Sequence, residues 1–164
     1  MKSMKLYRVS SLLMGLLFAY SASVQLDDHD WYFWLPLYVC AGFVNLVQGI
    51  SLTPRWRFAA KLGLGLGLCL LMKVVAEDIV YGLAGFWSMD LSERVVREKI
   101  GSGLVVVSMF LQLKALDSSS YKNGKRRMQI STCVQCGMIL LAGVAYGLPF
   151  VFFVVQRGQM KFDL

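Results

Sequence analysis

Several windows of about 20 residues run through this chain with almost no charged side chain, and no other feature limits its folding so strongly. About 20 apolar residues in a helix cover the roughly 30 Å of hydrocarbon in a bilayer, a length that the helices of a soluble core seldom need. The expected fold is therefore all-α, a membrane helical bundle of about five transmembrane helices in a single polytopic domain, residues 1–164. The spans are expected at about 7–25, 33–52, 58–80, 100–116 and 130–155. Thr53-Pro54 closes the second, and the third has a possible continuation through Tyr81 towards Trp87. The fourth is short unless its ends snorkel, and Pro149 inside the fifth predicts a kink. Composition agrees, since 57% of the 164 residues are hydrophobic, against roughly 45–50% apolar residues in an ordinary soluble domain.

A net charge of +7 could suggest a nucleic-acid partner, but most of the charge sits in short stretches between apolar segments, where membrane topology already accounts for it. No nucleic acid is expected. With the N-terminus in the cytoplasm, that side holds Lys2, Lys5, Arg8, Arg55, Arg57, Lys61, Lys114, Lys122, Lys125, Arg126 and Arg127, eleven basic residues. The other side holds five, Arg94, Arg97, Lys99, Arg157 and Lys161, and Lys73 lies inside a span. This positive-inside bias predicts N-in and C-out. Asp27, Asp28, Asp30, Glu77, Asp78, Asp90, Glu93, Glu98 and Asp163 then all fall outside, leaving only Asp117 within. The first segment also has the parts of a signal peptide: a basic start, an apolar stretch from Val9 to Tyr20, then Ser21-Ala22-Ser23. Cleavage there would leave four spans with both ends outside.

The most unusual stretch is Gln25 to Trp34, a tight turn between the first two spans with three carboxylates in four residues. Their mutual repulsion calls for a cation, basic partners or solvation. The simpler expectation is that Asp starts the second helix as a cap while Trp31, Tyr32 and Trp34 form an interfacial aromatic belt. His29 is the only histidine, so a zinc site built on several histidines is excluded. Lys73 lies deep in the third span, where a charge must pair, snorkel or lose its proton, and Glu77 shares its helix face one turn on. Before the fourth span, Arg97 could pair bidentately with Asp27, Asp28 or Asp30, or an amphipathic helix from Asp90 to Glu98 could lie in the interface. Gly63-x-x-x-Gly67, Gly101-Ser102-Gly103 and Gly143-x-x-x-Gly147 permit close helix approach, with packing inside one chain expected.

Cys40, Cys69, Cys133 and Cys136 suggest no secreted disulfide framework. Cys133-Val134-Gln135-Cys136, at the start of the last helix, resembles the redox motif of the vitamin K epoxide reductase family. Here the motif falls on the cytoplasmic side and lacks a partner cysteine pair. Palmitoylation or packing is the alternative.

Taken together, the turn and the loop before the fourth helix resemble the transmembrane protein 220 family. That family carries Gln-x-Asn-Asp-Pro-Asp, with Trp four and Tyr eight residues beyond the last Asp. The counterparts here are Gln25, Asp27, Asp28, His29, Asp30, Trp34 and Tyr38. A second match is Arg97-Glu98-x-x-Gly101, and the Ser-rich loop Ser118 to Ser120 before the last helix also agrees. Asp27 stands where the family has Asn and His29 where it has Pro, which makes this turn more acidic and less rigid. The resemblance implies a helical bundle and carries no activity with it.

The leading expectation is a non-enzymatic membrane component, with no cofactor. Its outer polar cluster of Gln25, Asp27, Asp28, Asp30, Trp34, Lys73, Glu77, Arg97 and Glu98 would bind a membrane-protein partner, a second copy, a lipid headgroup or an ion. The acids would supply oxygen ligands, and Arg97 and Lys73 would neutralise them or hold an anionic headgroup. A small oligomeric transporter or channel is the alternative, although Asn45, Gln48 and Gln112 offer a thin polar path. A thiol oxidoreductase using Cys133 and Cys136 is the third reading.

Overall fold

A computed structural model of the chain describes residues 2–27, 30–51, 54–81, 94–118, 121–122, 125–126 and 130–159. Five long helices account for nearly all of it: α1 (Lys2–Val24), α2 (Trp31–Ile50), α3 (Arg57–Tyr81), α4 (Arg94–Ser118) and α5 (Thr132–Gln159). Single 3₁₀ turns at Gln25–Asp27 and Pro54–Trp56 lead from α1 and into α3, and a two-residue ladder pairs Tyr121–Lys122 with Lys125–Arg126. Four helices have segments long and apolar enough to cross a membrane: Trp31–Ile50, Arg57–Val80, Val95–Asp117 and Thr132–Val151. α1 falls short of that measure, diluted by Lys2, Lys5, Arg8 and the serines of its middle, yet it matches the others in length and packs along α2 and α5. The chain is thus a multi-pass helical bundle for the membrane.

The expected spans lie within these helices to a few residues at most ends. The fourth differs most: α4 begins at Arg94 and has 25 residues, so it is not short. Arg94 to Glu98 are its first turns, not a separate interfacial helix, and residues 90–93 lie outside the described residues. α5 runs unbroken through Pro149. The continuation of α3 towards Trp87 also lies outside the described residues.

Interhelix contacts fix an alternating order of direction. Arg8, near the start of α1, reaches the end of α2, where its Nε donates to the carbonyl of Gly49 (3.1 Å) and Nη2 to that of Ile50. These are carbonyls that a helix end leaves without partners, and a cation suits the negative end of the helix dipole. Arg57 at the start of α3 pairs with Asp117 at the end of α4. At the opposite end, Lys99 near the start of α4 pairs with Asp78 near the end of α3 (2.6 Å). One end of the bundle is therefore basic, whereas the other carries Asp30, Glu77, Asp78 and Glu98.

Small residues bring the helices close. Leu46 lies over Gly15 and Leu12 over Gly49, so that a Cβ on either glycine would come within 2.9 Å of a leucine side chain. Gly63 and Gly67 face Met109 and Val106 of α4, which places the first Gly-x-x-x-Gly pattern inside the chain as expected. The second departs from that expectation: a Cβ on Gly143 or Gly147 would meet nothing within 4 Å among the described residues. Tyr146 between them turns to α1 instead, donating to the carbonyl of Leu13 (2.8 Å).

At the centre of the bundle is a polar cluster on α1, α2 and α4. The Tyr7 hydroxyl donates to Gln112 Oε1 (2.5 Å), and Gln112 Nε2 donates to Asn45 Oδ1 (2.8 Å) and Ser11 Oγ (3.1 Å). Asn45 Nδ2 donates to Ser108 Oγ and to the Ala41 carbonyl, both at 2.9 Å. All five side chains are buried. Apolar packing alone sets helix rotation weakly in a membrane, because lipid tails are as apolar as leucine; interlocked amides admit few rotations. Gln112→Leu removes the acceptor of the buried Tyr7 hydroxyl and the amide that donates to Asn45 and Ser11. It is expected to lower the stability of the purified protein by about 2 kcal/mol, read as a lower thermal midpoint in detergent. An unchanged midpoint would show that the cluster carries no such weight.

Candidate functional site

Seven residues are close to two helical turns, so residues seven apart lie nearly above one another. Tyr38 stands seven residues before Asn45 on α2, and Gly101 seven before Ser108 on α4. The helix faces joined by the Asn45–Ser108 hydrogen bond therefore meet again two turns nearer the acidic end. There Tyr38 lies against Gly101, where any Cβ would overlap the tyrosine hydroxyl. Trp34 and Phe18 hold the Tyr38 ring between them, each with its ring centre 6.2 Å away and nearly parallel (23° and 27°).

Beside Tyr38 is a cavity of about 290 Å³. α1 and the 3₁₀ turn after it supply Leu17, Tyr20, Ser21, Val24 and Gln25; α4 supplies Arg97, Ile100, Gly101 and Leu104. α5 closes it with Ala145, Leu148 and Pro149. Most of the wall is apolar, with a guanidinium, an amide and hydroxyls set into it. Tyr20, Val24, Arg97 and Pro149 are exposed, so the cavity opens at the surface of the bundle. Gln25 Oε1 is buried and has no hydrogen-bond partner. Glu98 is buried one residue beyond Arg97 on α4.

The residues singled out from the sequence fall into separate places. Gln25 and Arg97 share this cavity. Asp30 occupies the cap position of α2, but its side chain makes no capping bond; Oδ2 instead accepts from Trp34 Nε1 (3.2 Å). Trp34 is correspondingly not part of an interfacial belt: it is fully buried, because positions 34, 37, 38 and 41 form the inward stripe of α2. The exposed aromatics there are Trp31, Tyr32 and Phe33. Lys73 pairs with Glu77 (3.1 Å) and lies 5.8 Å over the Phe33 ring. Lys73 borders a different groove, with Tyr32, Phe33, Pro36 and Cys69, on the outward face of α2 and α3. The expected single cluster is thus at least two sites at one end of the bundle. Asp28 and the side chain of Asp27 lie outside the described residues.

Lys99 and Asp78 form a pair that the sequence reading did not anticipate, with side-chain exposures of 17% and 2%. All four cysteines are free; Cys133 and Cys136 are exposed at the start of α5, and Cys40 donates to the Ala59 carbonyl (3.4 Å). Among the described residues no three His, Cys, Asp or Glu side chains are gathered closely enough to hold a metal ion.

Fold and composition together define a multi-pass integral membrane protein built as an all-helical bundle. The family described as transmembrane family 220, helix, matches residues 17–114, more than half of the chain, and the chain belongs to that family. No solved structure matches it. The matched stretch runs from the middle of α1 to near the end of α4, and so includes the Gln25, Tyr38, Arg97 and Gly101 positions of the cavity.

Gly101→Ala is expected to push Tyr38 aside and cost about 2 kcal/mol of stability by overpacking. Tyr38→Phe in the same chain should recover most of that loss, since the hydroxyl is the overlapping atom. Thermal unfolding of the two single variants and the double variant measures this coupling; additive losses would mean that the two residues do not meet.

Proposed function

We propose that this protein is a non-enzymatic membrane component whose cavity beside Tyr38 binds the phosphate-bearing headgroup of a lipid. One observation carries the reading: Arg97 and Gln25 lie in the wall of a mostly apolar cavity that opens at the bundle surface. A guanidinium offers paired donors that match phosphate geometry. The apolar walls from Leu17, Ile100, Leu104 and Leu148 suit the first carbons of an acyl chain or glycerol backbone. At about 290 Å³ the volume is at the small end for ligand sites, which favours a headgroup over a whole lipid. A transport path within one chain finds less support, because Asn45 donates to Ala41 and Ser108, and Gln112 to Ser11 and Asn45, inside the core.

Arg97→Gln keeps a polar side chain and removes the charge. It is expected to reduce phospholipid retained through gentle detergent purification at least severalfold, measured by native mass spectrometry. Equal retention by both proteins would refute the reading.

The same proposal places the basic end in the cytoplasm, so that the N-terminus is inside, the C-terminus outside, and the cavity faces the outer or lumenal headgroups. The excess of Lys and Arg at the Arg8 and Arg57 end supports it. In a Cys69→Ser background, Cys133 and Cys136 should react with a membrane-impermeant maleimide only from the cytoplasmic side. Labelling of sealed cells from outside would reverse the orientation.

A further inference from the structure

We infer that the headgroup held beside Tyr38 is of the phosphoethanolamine kind: a phosphate joined to a primary ammonium that donates its own hydrogen bonds. This rests on the lipid-site reading above and adds what the other half of the headgroup must be. Arg97 can answer a phosphate, but it does not answer the cavity's acceptors. Gln25 Oε1 is buried there with no donor. A second acceptor comes from α5. Pro149 lies inside that helix and has no N–H, so the carbonyl of Ala145, four residues earlier, loses its usual helical donor. Ala145 and Pro149 both line the cavity. An acceptor left without a donor next to hydrocarbon is costly, and a proline inside a membrane helix is tolerated where something else supplies the missing bond.

The donor and acceptor pattern points the same way. A positive group for the phosphate, with two neutral acceptors nearby that lack donors, complements a headgroup whose own cation carries N–H groups. A primary ammonium brings three N–H donors in a compact point charge. A quaternary choline carries none, and it would leave both acceptors as they are. A second phosphate or a carboxylate would add only further acceptors.

The test uses the full chain, stripped of lipid and titrated in micelles with three phospholipids of identical acyl chains bearing ethanolamine, choline or glycerol headgroups. The ethanolamine lipid is expected to bind about tenfold more tightly than the choline lipid, the scale of one net charge-assisted hydrogen bond. Gln25→Leu and Pro149→Ala should each narrow that ratio, and together bring it close to one. Pro149→Ala restores a helical N–H, so that variant is expected to fold, and an unchanged thermal midpoint would confirm it. Arg97→Gln should weaken all three lipids alike. Equal binding of the ethanolamine and choline lipids, with both still dependent on Arg97, would overturn this inference and leave the lipid site standing. Strongest binding of the glycerol lipid would overturn the ammonium assignment. Binding indifferent to Arg97→Gln would overturn the site itself.

Discussion

The hydrogen bonds that join Gln112 and Asn45 to Tyr7, Ser11 and Ser108 set the arrangement on which the rest of the molecule depends. In water, burial of an apolar stripe would decide which face of each helix turns inward. In a bilayer that term is nearly absent between helices, and unsatisfied polar groups become the strongest discriminator. Three helices that share two amides cannot rotate independently without stranding one of them. The glycine contacts then settle how closely α1 approaches α2 and α3 approaches α4, and the ion pairs at the two ends fix how far the helices slide.

The geometry of the acidic end follows from this register. Tyr38 and Gly101 meet because the residues two turns below them, Asn45 and Ser108, are already joined. That meeting brings Arg97 on α4 and Gln25 after α1 to one cavity, although they are far apart in sequence. Gln25 and Tyr38 from one short stretch, and Arg97 and Gly101 from another, thus line one space. Lys73 and Glu77 share the same end but turn outward, and a lipid-facing Lys–Glu pair one turn apart satisfies itself.

Much of the fold was legible in the sequence, because length and hydropathy dictate where a chain can cross a bilayer. The start of α4 was not: Arg94, Arg97, Glu98 and Lys99 read as lying ahead of the span, with an interfacial helix up to Glu98 as one option, whereas Lys99 is tied to Asp78 and α4 itself runs through them. Helix rotation was also hidden, since spans apolar on every face carry little amphipathic signal. Trp34 was therefore assigned to the interface when it is buried. The polar core did leave a trace, with Tyr7 and Ser11, and likewise Ser108 and Gln112, four residues apart on one helix face. Asn45 and Gln112 were noticed only as an incomplete path, because their partners on α1 are a tyrosine and a serine that attract no attention in an apolar run. Of the site, Gln25 and Arg97 were recognised individually; that they share a cavity closed by Pro149 of α5 depends on three-dimensional packing alone.

The central claim, that a lipid headgroup occupies the space bounded by Gln25, Tyr38, Arg97 and Pro149, is tested most directly by cryo-electron microscopy. The protein would be reconstituted in nanodiscs of mixed phospholipids and carried on a rigid fusion partner to give it size. The account predicts a branched density in that cavity, with its strongest feature against the Arg97 guanidinium and a tail leaving between α1 and α5. A cavity filled by its own side chains, with ordered lipid only along the groove beside Lys73, would contradict it.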